Sequence, residues 1–290
     1  MRDLAALPKA HLHLHFTGSM RPETLRELAA AKGVRLPHTL LEDQGIRLPA
    51  DARGWFRFQR IYDAARAVVR TEHDLRRVVR EAAADDAAEG SKRLELQIDP
   101  STYGAHLGGI TPALEIVLDE AAQASRAFGI EVGIVVAASR LRHPLEARSL
   151  ARLAVKHAGN ESGQVVGFGL SNDERRGITE EFAPAFAIAR RAGLASVPHG
   201  GELLGADHLH EVIRTLEPTR VGHGVRAAED PRLLDQMVER GIALELCPWS
   251  NVSLGVFPTI DAVPLRPIVK AGARVALGAD DPLIFGFRLL

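Results

Sequence analysis

The stretch Lys9-Ala10-His11-Leu12-His13-Leu14-His15 alternates histidines with apolar residues close to the start of the chain. Strict alternation is typical of a β-strand, in which residues i and i+2 point to the same face. The imidazoles of His13 and His15 could therefore converge on one cation, while His11 shares their face one strand step deeper. Because an isolated His-x-His pattern more often marks a solvated or core-capping cluster, a metal site needs support from the rest of the chain.

Short apolar runs alternate with longer segments of helical period along the whole sequence. The predicted strands are 10–15, 93–98, 131–137, 164–169, 194–199, 220–223, 243–247 and 274–278. The predicted helices between them include 22–32, 72–89, 113–128, 145–157, 184–192 and 231–240. Eight strands with helical crossovers predict one α/β domain over residues 1–290, a closed (β/α)8 barrel of the TIM type. An open doubly wound sheet is the alternative, but no Gly-x-Gly-x-x-Gly motif follows the first strand.

The composition is that of a globular chain with nearly balanced charge. With 290 residues, 46% of them hydrophobic, the chain can bury a large core. Its 36 Lys and Arg against 37 Asp and Glu argue against binding to nucleic acid or an anionic membrane, and favour a small neutral partner. Cys247 is the only cysteine, and the amino terminus lacks a signal-peptide pattern. No stretch approaches the roughly 20 apolar residues of a membrane span, so a cytoplasmic protein is predicted.

Ionisable side chains stand at the predicted ends of four strands. They are His13 and His15 on the first strand, His199 on the fifth, His223 on the sixth, and Asp280 and Asp281 after the eighth. In a (β/α)8 barrel the catalytic residues lie at the carboxyl-terminal ends of the strands. A single polar residue at such a position could be a turn former, but agreement among four strands predicts a functional rim.

A second His-x-His pattern, His208 and His210, provides an internal comparison. It lies in a segment whose pattern is helical, residues 206–213. On a helix, residues i and i+2 are about 200° apart, so their rings do not readily share a metal. Both histidines are therefore predicted to lie on the surface.

A set of motifs, in order along nearly the whole chain, resembles those of the adenosine deaminase family of the amidohydrolase superfamily. Each motif alone is weak, but their order and their placement at strand ends make the resemblance specific. The motifs are PKAHLHLH (8–15) followed by Gly18-Ser19, GLSNDE (169–174), PHGGE (198–202), VGHG (221–224), CPWSN (247–251) and GADDP (278–282).

The resemblance implies hydrolytic deamination at C6 of an adenine nucleoside, with one Zn²⁺ ion and a bound water. The ligands that it implies are His13, His15, His199 and Asp280. Three imidazoles and one carboxylate also suit zinc on chemical grounds, and an open position for water is typical of a catalytic site.

The resemblance also implies roles for the residues around the metal. Glu202 would protonate ring N1, His223 would orient the water and stabilise developing charge, and Asp281 would assist the water or hold purine N7. The backbone N–H at Asn172 would bond N3. The predicted substrate contacts are His15, Thr17, Asn172 and Asp281.

Four positions depart from the family pattern. Thr17 stands where the adenosine-specific enzymes have an acid that contacts the ribose 5′-hydroxyl, and His11 replaces the acid before the first ligand histidine. Gly169 and Asn172 replace an Asp and a Gly of the fourth-strand motif. Adenosine or deoxyadenosine remains the leading substrate, with a 5′-modified adenosine and free adenine as alternatives.

Two features concern how the site and the barrel are covered. The aromatic cluster Trp55, Phe56 and Phe58 is interpreted either as plain core or as part of an apolar lid helix over the purine. Only eight residues follow Pro282, so either the sequence is truncated or the final helices of the family's barrel are absent, which would leave apolar barrel surface uncovered.

Two other classes of function compete with the deaminase hypothesis. A related metal hydrolase for an amide or phosphoester would share the ligands, but such sites usually bridge two cations with a modified lysine or a fourth-strand carboxylate, and Gly169 offers no ligand. A catalytically silent nucleoside-binding barrel would have no use for Glu202 beside a complete metal set. The deaminase hypothesis is therefore the strongest of the three.

Overall fold

The computed structural model describes residues 3–41 and 45–289, and its eight parallel strands pair in sequence order. The strands are β1 (Lys9–His15), β2 (Ser91–Ile98), β3 (Glu131–Ser139), β4 (Val165–Ser171), β5 (Ala195–Gly200), β6 (Arg220–His223), β7 (Ala243–Leu246) and β8 (Val275–Leu277). All eight predicted strands are confirmed, and each boundary lies within two residues of its predicted position.

The residues that follow β8 close the barrel against β1. The backbone N–H of His15 donates to the carbonyl of Asp280 at 2.9 Å, and the N–H of Asp280 donates to the carbonyl of His13 at 3.1 Å. Gly278 permits this approach, because a Cβ atom there would lie only 2.7 Å from the Cβ of His13. The predicted (β/α)8 architecture is therefore confirmed, as a nearly closed barrel.

Helices cover the outside of the barrel between the strands. They are α1 (Pro22–Lys32), α2 (Ala52–Arg66), α3 (Glu72–Ala88), α4 (Gly104–Leu107), α5 (Ile110–Phe128), α6 (Pro144–Lys156), α7 (Thr179–Arg191), α8 (Ala206–Leu216), α9 (Pro231–Glu239), α10 (Pro248–Ser253), α11 (Leu265–Lys270) and α12 (Pro282–Phe285). The six predicted helices are all present.

Helix α7 begins five residues before its predicted start. The prediction placed Pro184 at the first helical position, which proline favours. In the structure Pro184 lies inside the helix, although a proline there removes a backbone hydrogen bond. Thr179 and Phe182 belong to the added part of the helix and are buried, with 2% and 1% of their surface exposed. Their packing against the rest of the protein favours the earlier start.

Polar side chains occupy the interior of the barrel beneath its carboxyl-terminal rim. Glu95 and Glu245 are almost fully buried, and the Arg220 guanidinium lies between them. Its Nε donates to Glu245 Oε1 at 2.6 Å, and its Nη2 contacts Glu95 Oε2. Buried charges are costly unless they are paired, and here the positive charge of Arg220 is paired with the two carboxylates. Glu245 in turn contacts His13 at the rim.

Among the described residues, no helix combines the length and apolar character that a membrane crossing requires. After β8 the structure has the one-turn helix α12, and Leu277 on β8 is 45% exposed. A single catalytic domain over residues 1–290 stays a prediction.

Candidate active site

The ends of β1, β5 and β6 bring four histidines together beside Asp280. The ring centroid of His13 lies 4.8 Å from those of His199 and His223, and 5.2 Å from that of His15. The Nε2 atoms of His15 and His13 lie 3.2 and 3.5 Å from Asp280 Oδ1. The structure therefore places the four predicted metal ligands in one cluster, with His223 next to them.

The local backbone explains how these rings fit into one place. A Cβ atom at Gly222 would lie 2.7 Å from Cε1 of His13 and 2.9 Å from Cδ2 of His199, so glycine makes room for both rings. His223 and Asp280 both adopt a φ of 64°, a left-handed conformation that is uncommon for residues with a side chain. Such conformations persist where the surrounding structure imposes them, and they concentrate at functional sites.

The hydrogen bonding of His13 fits a metal ligand. Its Nδ1 lies 3.0 Å from Glu245 Oε2, so Nδ1 carries the proton that this carboxylate accepts. Its buried Nε2 has no hydrogen-bond partner, and its lone pair is available on the side of the cluster. A histidine that donates its other N–H to a carboxylate is the usual arrangement in metal sites. Together with the donor set, this arrangement fits zinc or a similar divalent cation.

The electrostatics of the cluster also favour a cation. Burial disfavours a charge on His13, but the neighbouring carboxylates of Asp280 and Glu245 outweigh it and raise its pKa to about 10. Burial likewise opposes the charge on Asp280, yet the imidazoles of His13 and His15 beside it hold its pKa well below the usual range. The carboxylates of Asp280 and Glu245 thus stabilise a positive charge within the histidine cluster. A divalent metal ion could supply that charge in place of a proton.

The three predicted catalytic residues lie against the same cluster. Glu202 Oε2 is 3.6 Å from His223 Nε2. Burial raises the pKa of Glu202 well above its usual value, and the negative charge of Asp280 adds to this. The same two causes raise the pKa of Asp281, whereas burial lowers the pKa of His223 to about 3. Burial therefore favours the neutral form of the Glu202 carboxyl, and the His223 ring is neutral at pH 7.

A cavity of about 470 Å³ opens onto these residues. Glu202, His223 and Asp281 line it, and helix α2 contributes Trp55 and Phe58. The helix predicted from the aromatic cluster is therefore present over the site.

Phe56 does not belong to that wall, and its assignment to the aromatic cover is wrong. Its side chain is 62% exposed. On a helix, Phe56 lies about 100° and 200° around the axis from Trp55 and Phe58, so the face that presents those two rings to the cavity turns Phe56 towards solvent.

A second cavity of about 800 Å³ continues from the first. It contains Thr17, whose Oγ1 lies 2.6 Å from the hydroxyl of Tyr103. Asn172 lines both cavities with a φ of 82°, and asparagine tolerates this left-handed conformation better than most residues, which explains how it can replace the family's glycine. The residues shared by the two cavities are His15, Gln59, Tyr62, Arg66, Ser171 and Asn172.

The second His-x-His pattern is helical as predicted, because both residues lie in α8. His210 is exposed, but the prediction that His208 lies on the surface is wrong. The His208 side chain is only 11% exposed and its Nδ1 lies 4.0 Å from Glu174 Oε2. A helix packed against a neighbouring loop buries one of its polar positions here, and periodicity within one segment does not reveal such a neighbour.

Two carboxylates that contact the site were missed from the sequence. Glu245 interrupts the apolar strand β7, and Glu174 ends the motif that begins at Gly169. The first signal is a charged residue inside an otherwise apolar strand, which usually has a partner when it is buried. The signal at Glu174 is weaker, because an acidic residue in a loop is ordinarily exposed to solvent.

A (β/α)8 barrel with a histidine-aspartate cluster at its carboxyl-terminal rim is typical of the amidohydrolase class. The profile of the family described as adenosine deaminase matches residues 8–290. A protein from Streptomyces virginiae with the provisional name adenosine/adenine deaminase is 57% identical over 289 residues, which cover 99% of this chain and 84% of that protein. The chain belongs to the adenosine deaminase family, and is therefore a hydrolase that acts on C–N bonds, with adenosine/adenine deaminase activity.

Two solved structures share the fold. The adenine deaminase from Arthrobacter aurescens superposes with a TM-score of 0.86 at 28% identity, over 97% of this chain and 84% of that chain. An amidohydrolase from Burkholderia ambifaria, solved with bound Zn, has a TM-score of 0.81 at 24% identity, over 98% of this chain and 78% of that chain. These likenesses agree with the barrel described above.

Proposed function

We propose that this chain is a zinc-dependent deaminase that converts adenosine or deoxyadenosine into the corresponding inosine and ammonia. The observation that carries the proposal is that Glu202 and three of the proposed ligands, His15, His199 and Asp280, line the same cavity. Family membership supplies the reaction class, and the arrangement of side chains supplies the roles given below.

Zinc is proposed as the metal, with His13, His15, His199 and Asp280 as its ligands. The bound Zn in the Burkholderia ambifaria structure supports this choice, as do the unpartnered Nε2 of His13 and the carboxylate that fixes its tautomer. When bound, zinc supplies a Lewis acid that lowers the pKa of a water molecule to about 7.

Glu202 is proposed to deliver the proton that the purine ring needs. Addition of water at C6 places negative charge on the ring, and protonation of N1 removes it. A carboxyl that holds its proton more firmly than usual suits this role, and burial raises the pKa of Glu202. Its placement beside His223 puts the donor on the side of the cavity where water would add.

His223, Asp281 and Asn172 are proposed to orient the reactants. The neutral His223 ring has a buried Nδ1 without a hydrogen-bond partner, which can hold the attacking water. Asp281 Oδ1 is likewise unpartnered, and we assign Asp281 to purine N7. The backbone N–H of Asn172, which lines both cavities, is assigned to N3.

The second cavity favours a nucleoside over the free base. If the purine occupies the first cavity, a ribose at N9 needs adjoining polar space. The second cavity offers such space, with the hydroxyls of Thr17 and Tyr103 and the carboxylate of Asp99 among its lining groups. Free adenine is the second candidate substrate, because the similar structure from Arthrobacter aurescens is named an adenine deaminase.

Ultraviolet absorbance tests the proposal directly. Zinc-loaded protein is mixed separately with adenosine, deoxyadenosine, adenine and a 5′-substituted adenosine, and the spectral change on deamination is followed with ammonia release. We expect kcat/KM to be highest for a nucleoside. Faster turnover of adenine would transfer the assignment to the free base, and no turnover of any of the four would contradict the proposed substrates.

The Thr17–Tyr103 pair gives a sharper test of the nucleoside assignment. Replacing both partners, Thr17→Val with Tyr103→Phe, removes two hydroxyls without leaving either one buried and unpaired. We expect KM for adenosine to rise about 5- to 10-fold, the effect of losing one hydrogen bond of about 1 kcal/mol. KM for adenine should stay the same, because adenine does not reach the second cavity.

The matched control for this pair is Thr259→Val at an exposed position, which should leave both KM values unchanged. An equal rise for adenosine and adenine would contradict the placement of ribose in the second cavity.

A further inference from the structure

Glu174 is a buried carboxylate outside the two cavities that the mechanism above does not use. It follows β4, and its side chain is fully buried. A buried carboxylate is costly unless hydrogen-bond donors surround it. The donors around Glu174 therefore indicate what this charge does.

Three consecutive backbone N–H groups donate to the Glu174 carboxylate. The donor–acceptor distances are 3.1 Å from Glu202, 2.8 Å from Leu203 and 2.8 Å from Leu204. Successive N–H groups that converge in this way form a concave site for an anion. Because these residues follow β5 directly, after the left-handed turn at Gly201, one side chain fixes the loop that carries Glu202.

A buried arginine holds the same strand end from its other side. Arg140, 2% exposed, donates to the carbonyl of His199 at 3.2 Å and to Thr179 Oγ1 at 3.2 Å. The charges of Arg140 and Glu174 also attract each other. The end of β5 is thus held at the carbonyl of His199 and at the N–H of Glu202, on both sides of the intervening glycines.

We propose that Glu174 is a positioning residue that holds the Glu202 carboxyl in place for proton transfer. This inference rests on the proposed role of Glu202 in the deamination. Glu174 touches no reacting atom in the proposed mechanism and acts only through the backbone of residues 202–204. Small displacements of a catalytic group are enough to reduce turnover strongly.

The experiment compares Glu174→Gln in two backgrounds. In the native background we expect kcat to fall about 10- to 100-fold, with KM and zinc content unchanged. In the Glu202→Gln background, where the proton donor is already absent, the same change should lower kcat less than about 3-fold. An equal fall in both backgrounds would show that Glu174 does not act through Glu202 and would overturn the inference.

Amide hydrogen exchange gives a readout that does not depend on the reaction. In Glu174→Gln the amides of Glu202, Leu203 and Leu204 should exchange at least about 10-fold faster, because a neutral amide accepts fewer of their hydrogen bonds. Unchanged exchange at these three amides would overturn the inference whatever the activity. Failure of the proposed function has a different signature, namely full activity of Glu202→Gln alone.

Two further variants complete the experiment. Glu181→Gln, at an exposed position of α7, should change neither kcat nor amide exchange. Glu174→Asp keeps the charge and withdraws it by one methylene, so it provides the same two readouts if Glu174→Gln folds poorly. Activity and amide exchange at the native level in Glu174→Asp would contradict a role that depends on the exact reach of the carboxylate.

Discussion

Replacing Glu202 by glutamine should abolish most turnover while leaving the fold and the metal in place. The Glu202→Gln change keeps the size of the side chain and removes the proton that it would transfer. General acid catalysis typically contributes about 10²- to 10⁴-fold, so we expect kcat to fall by that factor. KM and zinc content should change little, because Glu202 is not a proposed metal ligand. Steady-state absorbance and metal analysis on one preparation measure both.

The matched control is Asp207→Asn, which neutralises an exposed acid in the first turn of α8. Asp207 lies five positions after Glu202 in the sequence and outside the two cavities. The kcat of Asp207→Asn should therefore equal that of the native protein. Native kcat in Glu202→Gln would contradict the assignment of Glu202 as the proton donor.

The second large effect is expected at Asp280. The Asp280 carboxylate lies 3.2 Å from His15 Nε2 and 3.5 Å from His13 Nε2, so it supplies negative charge at the centre of the cluster. We expect Asp280→Ala to bind zinc at least about 100-fold more weakly, since loss of a supporting group alone costs about 10- to 100-fold. Activity should fall in parallel. Zinc per chain after dialysis against a chelator, with melting temperature as a check on folding, measures the effect.

Asp280→Asn separates loss of the metal from damage to the barrel. Asp280 has a φ of 64°, and its backbone joins the segment after β8 to β1. Asparagine tolerates the left-handed conformation better than alanine, so Asp280→Asn should retain the melting temperature and still lose zinc. The exposed Asp261→Ala serves as the surface control. One firmly held zinc in both Asp280 variants would show that the ligand set is wrong.

Much of the barrel could be predicted because its signals are local. The alternation of residues 10–15 has the period of a strand, and helix α1 matches its prediction at both ends, Pro22 and Lys32. Proline at the first helical position and glycine after the last residue mark these ends within the sequence itself. The grouping of site residues at one rim followed from the same strand ends, since parallel strands end on the same side of a barrel.

Two of the errors, at His208 and at the start of α7, occurred where other parts of the fold determine the outcome. His208 has the pattern of a surface residue within α8, but the loop after β4 covers it. Pro184 resembles a helix start, yet the packing of Thr179 and Phe182 extends α7 beyond it. In both places contacts with other parts of the fold outweigh a local preference that is worth little by itself.

The sequence by itself determined the barrel, its strand ends and the residue types at the rim, because side-chain periods of 2 and 3.6 residues are properties of neighbouring positions. Only the tertiary structure decided which groups support that rim. Glu245 meets His13 across 232 positions, and Glu174 meets the loop of Glu202 across 28. A buried carboxylate is satisfied by whichever donors the fold brings to it, and the folded chain alone determines that proximity.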